Sequence, residues 1–566
     1  MRWILRGPVH PDEPDDPSTV PRLIRRILRG RGFSERERWP EYFEPSLAGL
    51  PDPFLLPDLP RAVERLDRAI HAGETIFVFG DYDVDGVTSA ALLTRHLTSL
   101  GGNVVARVPD RMRDGYGLSL RIVEEAAQAG ATLLITADCG TGSIAEAMRA
   151  RELGCDLIVA DHHRPGPDLP PGAAVVNPWR ADSVYPFPHL AAAGVVTKLL
   201  EGLWRHRRAR GAKDPRLGPL LDLSAIGTIA DNVPLTGENR ALAFHGLARM
   251  RARPRPAIAA LFRIAGVDFD RAGAGEIGYQ IAPRLNAAGR IGSAKLALDL
   301  LLCDDPERCH RLAASLEGQN LLRKELLDQV LQEAGERAVL EESDGPLVLG
   351  SDRWHPGVLG IAAARLAERH GRPTILLGGE GERWRGSGRT VRGCDLHSLV
   401  LAASASLEAF GGHAAAVGLT LSRERLPEFR SQLAEAYRAG GHGGPVERSL
   451  TVDALADLHE VDRTLLDWLE RMEPFGQGNP PPVVAVRGRT IGVKILKDRH
   501  VRFQVDDGRT RVDCIGFQLA GSHAWLSGCG SEVHVAGTPC RNVFRGEERL
   551  QFEVRDIVRE DPFGER

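Results

Sequence analysis

The sequence predicts an α/β protein of several domains: a doubly wound parallel sheet, a helical connector, a second α/β domain and a C-terminal β-barrel. Short apolar strands alternate with amphipathic helices over residues 56–255, a second strand-and-helix unit covers residues 341–445, and closely spaced strands fill residues 446–566. Alternating strands and helices indicate parallel sheets, and closely spaced strands with tight turns indicate a barrel or a sandwich. With 566 residues, the chain is also too long for one hydrophobic core.

The first 55 residues form a lead-in segment that is rich in proline and charged side chains. Its opening residues, MRWILRG, contain too short an apolar run for a secretory signal. We expect this segment to pack on the first domain.

Four apolar runs predict the strands of the first domain. They cover residues 75–79, 103–108, 132–136 and 157–160, and helical patterns separate them. In sheets of this kind, ligand sites lie beyond the carboxyl ends of the strands. We therefore expect functional residues directly after these runs.

The stretch FVFGDYDVDGVTS (77–89) places three acids, Asp81, Asp83 and Asp85, at alternating positions. It begins like a calcium-binding EF-hand loop, but such a loop needs a bidentate glutamate at its twelfth position and a helix leading in. Leu92 stands at the twelfth position, and a predicted strand leads in. Alternate residues of an extended turn point to the same side, so the three carboxylates could meet at one cation. The alternative is a solvated acidic turn in which an aspartate caps the next helix.

Further candidate ligands follow two other strands and one helix. Asp138 in ITADCGT and the triplet Asp161-His162-His163 come directly after predicted strands, and Asp231 closes a helical run. Oxygen ligands with one or two imidazoles suit Mn²⁺ or Mg²⁺ better than zinc. So many carboxylates favour a two-metal centre that hydrolyses a phosphate ester or anhydride. Taken singly, an aspartate after a strand is commonly a turn former, and a histidine pair can be structural.

Strand and helix patterns also predict the second half of the chain. Residues 256–340 are helical, with a connecting helix at 317–336, and a strand at 346–350 opens the second α/β domain. After residue 446, alternating strands with an Asp507-Gly508 turn favour a small barrel such as an OB-fold, although a sandwich is also compatible. Four aromatic residues of this region could stack on bases, but barrel aromatics are more often core residues. They are Phe503, Phe517, Phe544 and Phe552.

The composition excludes several classes of protein. No apolar run reaches the ~18 residues of a membrane span. The eight cysteines contain no C-x-x-C pair, which argues against zinc ribbons and against a secreted disulfide framework. We therefore expect a reducing, cytoplasmic location. A net charge of −4 does not by itself indicate nucleic-acid binding.

Ordered motifs along the chain resemble those of a known superfamily. GDYDVDGVTS, ITADCGT, ADHH and GTIADNVPL resemble the motifs of the DHH phosphoesterase superfamily. Six further motifs resemble, more closely, the RecJ family of bacterial exonucleases specific for single-stranded DNA. These motifs are PDRMRDGYGL (109–118), YQIAPRLNAAGRIG (279–292), WHPGVLGIAAARL (354–366), GSGRT (386–390), FGGHAAAVGLT (410–420) and MEPFGQGNPPP (472–482).

The resemblance implies a DHH domain and a DHHA1-type domain that face each other across a cleft, with an OB-fold closing the path of a single strand. It also implies two bound ions, Mn²⁺ or Mg²⁺. The implied ligands are Asp83, Asp85, Asp138, His162 and Asp231, with Asp81 as a further candidate. Asp138 would bridge the ions, Asp161 would orient a histidine, and His163 would contact the scissile phosphate or act as the general acid for the 3′-oxygen.

The implied activity is 5′-to-3′ hydrolysis of single-stranded DNA, which releases 5′-mononucleotides in DNA repair and recombination. A helicase and a single-strand-binding protein would supply the substrate, and the enzyme would act as a monomer away from membranes. Two alternatives stay open. One is a DHH phosphoesterase for pyrophosphate, cyclic dinucleotides or short oligonucleotides, against which the C-terminal barrel argues. The other is an inactive replication scaffold, against which the full set of ligand residues argues.

Other residues in the matching motifs are candidates for binding the DNA backbone. They are Arg111, Arg284, Asn286, Arg290, Ser387, Arg389, Gly411, Gly412 and His413. The stretch APRLNAAGR is interpreted as a small-residue loop that approaches phosphates or merely joins two helices. GSGRT offers Ser387 and Arg389 as an oxyanion-binding set, which Arg111 could join at the 5′-terminal phosphate. Residues 411–413 would expose backbone amides to a phosphate or form a tight helix-to-strand turn.

Two positions depart from the family pattern, Asn232 and Val417, and neither removes a ligand. The chain ends shortly after the predicted barrel. We therefore expect it to lack the additional C-terminal domain of some longer family members.

Overall fold

The computed structural model describes residues 1–7, 19–110, 115, 117–340, 345–379, 381–391, 393–440, 449–527, 530–544 and 547–563. An N-terminal arm (residues 1–7 and 19–43) contains β1 (Arg2–Leu5), α1 (Arg22–Gly30) and α2 (Trp39–Phe43). Two α/β domains, a helical region between them and a C-terminal barrel follow. This architecture confirms the predicted fold class.

The first domain is built on a five-stranded parallel sheet. Its strands are β2 (Thr75–Gly80), β3 (Asn103–Arg107), β4 (Ala131–Ala137), β5 (Asp156–Ala160) and β6 (Ala174–Val176). They lie in the order β3-β2-β4-β5-β6. Four strands match predicted runs, whereas the three-residue β6 was not predicted.

Helices cover both faces of this sheet. They are α3 (Leu59–Ala72), α4 (Val84–Ser99), α5 (Leu120–Gln128), α6 (Ile144–Glu152), α7 (Ala192–Ala209), α8 (Leu221–Ala230) and α9 (Gly237–Ala252). Leu133 and Ile135 of β4 enter one apolar core, and Leu134 enters another on the opposite face. Burial on both faces is typical of a doubly wound sheet.

The connector is helical, as predicted. Its helices are α10 (Pro256–Ala265), α11 (Ala274–Glu276), α12 (Ala282–Ile291), α13 (Lys295–Leu302) and α14 (Pro306–Leu340). A π-helical turn at Ile277–Ile281 joins α11 to α12. The interpretation of APRLNAAGR as a loop is wrong, because its residues form α12. Alanine, leucine and arginine are strong helix formers, and they outweigh the single Gly289.

The second α/β domain contains a mixed five-stranded sheet. Its strands are β7 (Leu347–Ser351), β8 (Thr374–Gly378), β9 (Arg383–Arg389), β10 (Ala409–His413) and β11 (Ala416–Ser422), in the order β10-β11-β9-β8-β7. Its helices are α15 (Pro356–His370), α16 (Leu396–Ala402) and α17 (Leu426–Ala439). The helix-to-strand turn considered for residues 411–413 is wrong, because these residues form most of the edge strand β10 and pair with β11.

The C-terminal region is a closed barrel, which decides against the sandwich. Its elements are β12 (Ser449–Val452), β13 (Ala454–Leu455), α18 (Arg463–Arg471), β14 (Val484–Leu496), β15 (His500–Asp506), β16 (Arg511–Gly516), β17 (Glu532–Phe544) and β18 (Glu547–Val558). Pairing of β14 with β17 closes the order β14-β15-β16-β18-β17. The predicted Asp507-Gly508 turn joins β15 to β16.

The barrel aromatics divide between core and surface. Phe503 and Phe552 are buried in the barrel core, which excludes base stacking by these two side chains. Phe517 is 55% exposed. The side chain of Phe544 lies outside the described part of the structure.

The N-terminal arm packs on the barrel, so the expectation that it would pack on the first domain is wrong for most of its length. Strand β1 pairs in parallel with β12. The apolar side of α1, including Leu23, Ile27 and Leu28, enters the same core as barrel residues such as Leu465. An amphipathic helix needs an apolar partner, and sequence patterns do not say which domain supplies it.

Among the described residues, we find no helix that is both long and apolar enough to cross a membrane. The described cysteines carry free thiols.

Candidate metal centre

Three of the predicted acids meet at the carboxyl edge of the parallel sheet. Asp81, Asp138 and Asp161 directly follow β2, β4 and β5, which are neighbours in the sheet. The turn after β2 lies tightly against the start of α4, because a Cβ atom on Gly86 would lie only 2.4 Å from the Asp81 backbone nitrogen. The prediction that parallel strand ends bring these acids together is confirmed.

The start of α4 positions two more carboxylates. Asp83 caps the helix, and its Oδ1 accepts hydrogen bonds from the amides of Asp85 and Gly86 at 3.0 and 3.1 Å. Asp85 is 1% exposed, and its two oxygens accept from the amides of Ala192 and Ala193 at 2.7 and 2.8 Å. These amides begin α7, where the helix dipole stabilises negative charge.

Asp231 reaches the same edge from the C-terminus of α8. The residues Asp138 and Asn232 have positive φ angles of 64° and 60°. Left-handed backbone at non-glycine residues is concentrated at functional sites.

The two histidines have different positions. His162 Nε2 lies 3.2 Å from Asp138 Oδ1, 3.7 Å from Asp231 Oδ2 and 3.9 Å from Asp85 Oδ2. The ring of His163 is half exposed, and its Nδ1 lies 2.7 Å from Asp161 Oδ1. His162 therefore points into the acids, whereas His163 stands at the mouth of the site.

These side chains form three overlapping groups in which all potential ligand atoms lie within 4.8 Å of one another. The groups are Asp81-Asp83-Asp138, Asp85-His162-Asp231 and Asp138-His162-His163. Asp138 and His162 each belong to two groups. Within the described part of the chain, no hydrogen bond reaches the buried atoms Asp81 Oδ1 and His162 Nε2. Buried polar atoms without partners fit a site that holds a cation.

Burial and mutual repulsion raise the pKa values of the acids. Burial, followed by the nearby Asp83, raises the pKa of Asp81 to about 8 and that of Asp85 to about 7. Burial and the neighbouring acids Asp85 and Asp83 raise the pKa of Asp231 to about 9, and burial together with four acids raises the pKa of Asp138 well above its usual value. The cluster is therefore not stable as a set of free anions, and a divalent cation would neutralise it.

Asp161 and His163 form an ion pair beside the cluster. Burial alone would raise the pKa of Asp161, but hydrogen bonds from His163 and Thr141 hold it below its usual value. For His163, the bond to Asp161 outweighs burial and raises the pKa to about 9. By contrast, burial lowers the pKa of His162 to about 4, which leaves a neutral ring suited to metal binding.

Two residues that support this pair were missed at the sequence level. The Thr141 amide donates to Asp161 Oδ2 at 3.1 Å. Asn177 is fully buried and donates to Thr141 Oγ1 at 3.0 Å and to the His163 carbonyl at 2.8 Å. Asn177 directly follows β6, so prediction of that short strand would have pointed to it.

The predicted DNA-binding residues on α12 make contacts inside the protein, and two positions of this helix lie directly against the acidic turn. Arg284 is 8% exposed, and its Nε lies 2.5 Å from Glu317 Oε2 on α14. Asn286 Oδ1 accepts a hydrogen bond from the Val84 amide at 3.1 Å. A Cβ atom on Gly289 would lie 2.6 Å from the Tyr82 carbonyl oxygen, so the helix lies directly against the turn. Arg290 is partly exposed near the end of the same helix.

The remaining predicted residues lie in the second domain or outside the described ranges. Ser387 and Arg389 are on β9, and Arg389 donates to Ser387 Oγ at 3.1 Å. A Cβ atom on Gly360 of α15 would lie 2.9 Å from that oxygen. Residues 411–413 lie on β10 and are exposed. Arg111 lies outside the described residues.

Family models match most of the chain. A model of the DHH family N-terminal domain matches residues 75–228, a DHHA1 domain model matches residues 344–439, and a RecJ OB domain model matches residues 452–556. The three matches follow one another in the order of the domains described above.

Several curated proteins are similar over almost the whole chain. The chain is 35% identical to the single-stranded-DNA-specific exonuclease RecJ of Dickeya dadantii (strain 3937), over 96% of this chain and 97% of that protein. It is 35% identical to the protein of the same name from Escherichia coli (strain K12), with the same two coverages, 96% and 97%. The RecJ of Bacillus subtilis (strain 168) is 33% identical over 99% of this chain and 71% of the relative.

Solved structures show the same similarity in three dimensions. The crystal structure of RecJ in complex with Mn²⁺ from Thermus thermophilus matches with a TM-score of 0.80 and 32% identity, over 95% of this chain and 76% of that one. The Mg²⁺ complex from the same organism matches with a TM-score of 0.75 and 29% identity, over 95% and 74% of the two chains. The ordered domain matches and the identity over nearly the full length of two relatives show that this chain belongs to the RecJ family.

Proposed function

We propose that this protein hydrolyses the phosphodiester bonds of single-stranded DNA from the 5′ end and requires two divalent cations, Mn²⁺ or Mg²⁺. The observation that carries this proposal is the set of overlapping ligand groups at one sheet edge, which share Asp138 and His162. Paired divalent cations are typical of enzymes that hydrolyse phosphate esters. The relatives are single-stranded-DNA-specific exonucleases, and two solved relatives contain Mn²⁺ or Mg²⁺.

The proposed ligands are the residues of the overlapping groups. They are Asp81, Asp83, Asp85, Asp138, His162 and Asp231. Asp138 is the proposed bridge, because its carboxylate belongs to two groups. When bound, the cations would supply a nucleophile at neutral pH and offset the charge that develops on the phosphate.

His163 is the proposed general acid. Asp161 accepts a hydrogen bond from His163 Nδ1 at 2.7 Å, which fixes the ring and leaves Nε2 facing away from Asp161. Because the pKa of His163 is raised to about 9, the ring is protonated at neutral pH. It can therefore give a proton to the departing 3′-oxygen, and its half-exposed position leaves it accessible to DNA.

The polarity of the reaction is proposed to come from residues of the second domain together with Arg290 of α12 and Arg111. Ser387 and Arg389 on β9, the edge strand at residues 411–413, Arg290 and Arg111 would hold the 5′-terminal phosphate. A fixed distance between that phosphate and the cations would place the first internucleotide bond at the metal centre and release one 5′-mononucleotide in each step. Asn286 would act indirectly, by supporting the acidic turn, and Arg284 would act indirectly, by holding α12 to α14.

The proposed setting is DNA repair and recombination, with a helicase and a single-strand-binding protein supplying the strand to a monomeric enzyme. This part of the proposal is based on the family alone. Co-purification with each candidate partner and light scattering of the isolated protein would test it.

In the main experiment, the protein is incubated in the presence of Mn²⁺ with each candidate substrate separately. The substrates are 5′-labelled and 3′-labelled single-stranded 40-mers, the matching duplex, an RNA oligomer, pyrophosphate and a cyclic dinucleotide. We expect labelled mononucleotide at the earliest times from the 5′-labelled strand only. Asp138→Asn should abolish the reaction, whereas Asp156→Asn, at the opposite end of the same sheet, should not. A wild-type protein that leaves single-stranded DNA intact and cleaves a small substrate would overturn the proposal.

A further inference from the structure

A loop between α18 and β14, residues 472–479, is closed by one buried side chain. We call this segment the barrel loop. Asn479 is 3% exposed, and its Nδ2 donates to the carbonyls of Met472 and Pro474 at 3.2 and 3.0 Å. Its backbone also pairs with Gly476, with N···O distances of 2.9 and 3.1 Å. Asn479 therefore holds both ends of the barrel loop together.

The same side chain connects the barrel loop to the N-terminal arm. Asn479 Oδ1 accepts hydrogen bonds from an Arg31 guanidinium nitrogen and from the Tyr42 hydroxyl, both at 2.9 Å. Arg31 is itself fixed by a bidentate ion pair with Asp453, at 2.9 and 3.2 Å, and by the Pro480 carbonyl at 2.8 Å. A buried network in which each partner is fixed gives a rigid connection.

On its other side, the barrel loop rests on the segment that follows Asp231. The Leu235 amide donates to the Gln477 carbonyl at 2.7 Å. A Cβ atom on Gly476 would lie 2.6 Å from Leu235 Cδ1, so the contact tolerates no larger residue without a shift. Only three residues separate this contact from Asp231.

Arg240 on α9 provides a second connection to the first domain. It is buried, and it donates to the carbonyls of Met472 and Glu473 at 3.2 and 2.9 Å. Its guanidinium also lies 4.5 Å from the ring centroid of Tyr42. The arm, the barrel loop and the first domain therefore meet at Tyr42 and Asn479.

The barrel loop also forms one wall of a large groove of about 980 Å³. Asn232, which follows Asp231, lines the groove, as do Phe475 and Gln477 of the barrel loop and Arg541 and Arg555 of the barrel. The groove therefore extends from the barrel to the residue that follows Asp231.

We propose that Asn479 is a positioning residue that fixes the barrel and the Asp231 segment relative to each other, so that a long strand in the groove is aligned with the metal centre. Asn479 contacts neither the metal-binding side chains nor the groove, and it acts through the barrel loop and Leu235. The N-terminal arm is then part of the device that selects long substrates. The substrate part of this inference rests on the proposed function, whereas the positioning part does not.

Hydrogen exchange tests the positioning without any substrate. Asn479→Ala removes four hydrogen bonds around the barrel loop, so we expect the Leu235 amide to exchange at least ~10-fold faster. Tyr42→Phe, which keeps the ring and removes one bond to Asn479, should give a smaller increase. The matched control is Arg26→Gln, because the 2.7 Å bond from Arg26 to Glu460 also joins the arm to the C-terminal region but does not touch the barrel loop. Unchanged exchange at Leu235 in both test variants would overturn the inference.

Kinetics on substrates of two lengths test the functional part. For Asn479→Ala, we expect KM for a single-stranded 40-mer to rise ~10-fold, while kcat/KM for a tetranucleotide stays within about twofold. Equal losses on both substrates, with a lower Tm, would show a purely structural role and overturn the inference. If the wild-type protein does not cleave DNA but Leu235 exchange still responds to Asn479→Ala, the proposed function fails and the positioning role stands.

Discussion

Two buried charged clusters in the first domain are organised in opposite ways. The lysine cluster consists of Lys198, Glu201, Glu238 and Tyr185. Lys198 is 1% exposed, and its Nζ lies 2.8 Å from Glu201 and 3.2 Å from Glu238. The Tyr185 hydroxyl donates to Glu238 Oε2 at 2.6 Å, and Lys198 also donates to the Pro51 carbonyl at 2.7 Å. Positive and negative charges therefore meet within this cluster.

The acidic rim, by contrast, collects charges of one sign. It consists of Asp81, Asp83, Asp85, Asp138 and Asp231. The ring that points into it, His162, has its pKa lowered to about 4 and is neutral at pH 7. The protonated ring beside the rim, His163, is already paired with Asp161. The five carboxylates therefore have to be balanced by bound protons or by bound metal ions. This difference in charge balance distinguishes a structural ion network from a ligand-binding site.

The largest expected effect comes from Asp138, the carboxylate that belongs to two of the three ligand groups. Asp138→Asn removes one negative charge and keeps a side chain that tolerates the positive φ angle. We expect kcat to fall on the order of 10⁴-fold, because the proposed bridging ligand is lost. In EDTA, however, the variant should have a higher Tm than the wild type, because repulsion within the rim decreases. A lower Tm in EDTA would mean that the rim is stabilised internally, like the lysine cluster.

The lysine cluster should respond in the reverse way. Lys198→Met keeps the length of the side chain and leaves Glu238 buried without its cation, which should cost about 3–5 kcal/mol of unfolding free energy. Burial already raises the pKa of Glu238, so part of this loss should be recovered as the pH is lowered and Glu238 becomes protonated. Urea denaturation measures the effect. Lys295→Met, in an exposed pair with Asp299, is the matched control and should cost less than about 1 kcal/mol.

The contrast between the clusters also explains how far the sequence could predict the site. Asp81, Asp138 and Asp161 were placed correctly, because parallel strands bring their carboxyl ends to one edge whatever the surrounding sequence is. The sequence pattern does not reveal the burial of Arg284, because its partner Glu317 lies 33 residues further along the chain and on another helix. Local patterns determine strand ends, whereas the pairing of charges depends on tertiary packing.

The fold shows the same division between local and distant information. The strands of the first sheet could be predicted because each is a continuous apolar run, and β6 was missed because only three residues belong to it. The position of the N-terminal arm depends on contacts such as Tyr42 with Asn479, which are 437 residues apart. A single sequence contains no signal for such a pairing.

A third prediction concerns pH. The folded-state pKa values of Asp81, Asp231 and His163 are raised to about 8, 9 and 9, above the ordinary values of about 3.9 and 6.5 for these residue types. Between pH 7 and pH 8.5 the folded state therefore binds more protons than the unfolded state, so the unfolding free energy falls as the pH rises. In EDTA we expect Tm to drop by about 5 °C over this range.

Mn²⁺ provides the comparison for that pH dependence. The cation binds carboxylates and displaces their protons, so its stabilising effect should grow with pH and flatten the decline in Tm. Asp138→Asn should have a shallower decline in EDTA than the wild type. Parallel Tm curves with and without Mn²⁺ would show that the rim does not release protons on binding the ion.

The smallest expected effect tests whether hydrogen bonding inside the lysine cluster adds to its charge balance. Tyr185→Phe keeps the ring, which is 5% exposed, and removes the hydroxyl that donates to Glu238. A hydrogen bond to a charged group contributes about 1.5–3 kcal/mol, and we expect a loss near the lower end because Lys198 still faces Glu238. Metal affinity, measured by calorimetry, should not change.

Tyr279→Phe is the matched control, since that side chain is 88% exposed and its variant should keep the wild-type unfolding free energy within about 0.5 kcal/mol. If Tyr185→Phe also left the unfolding free energy unchanged, charge pairing alone would account for the stability of the lysine cluster. The two clusters would then differ only in that opposite charges meet in one and like charges meet in the other.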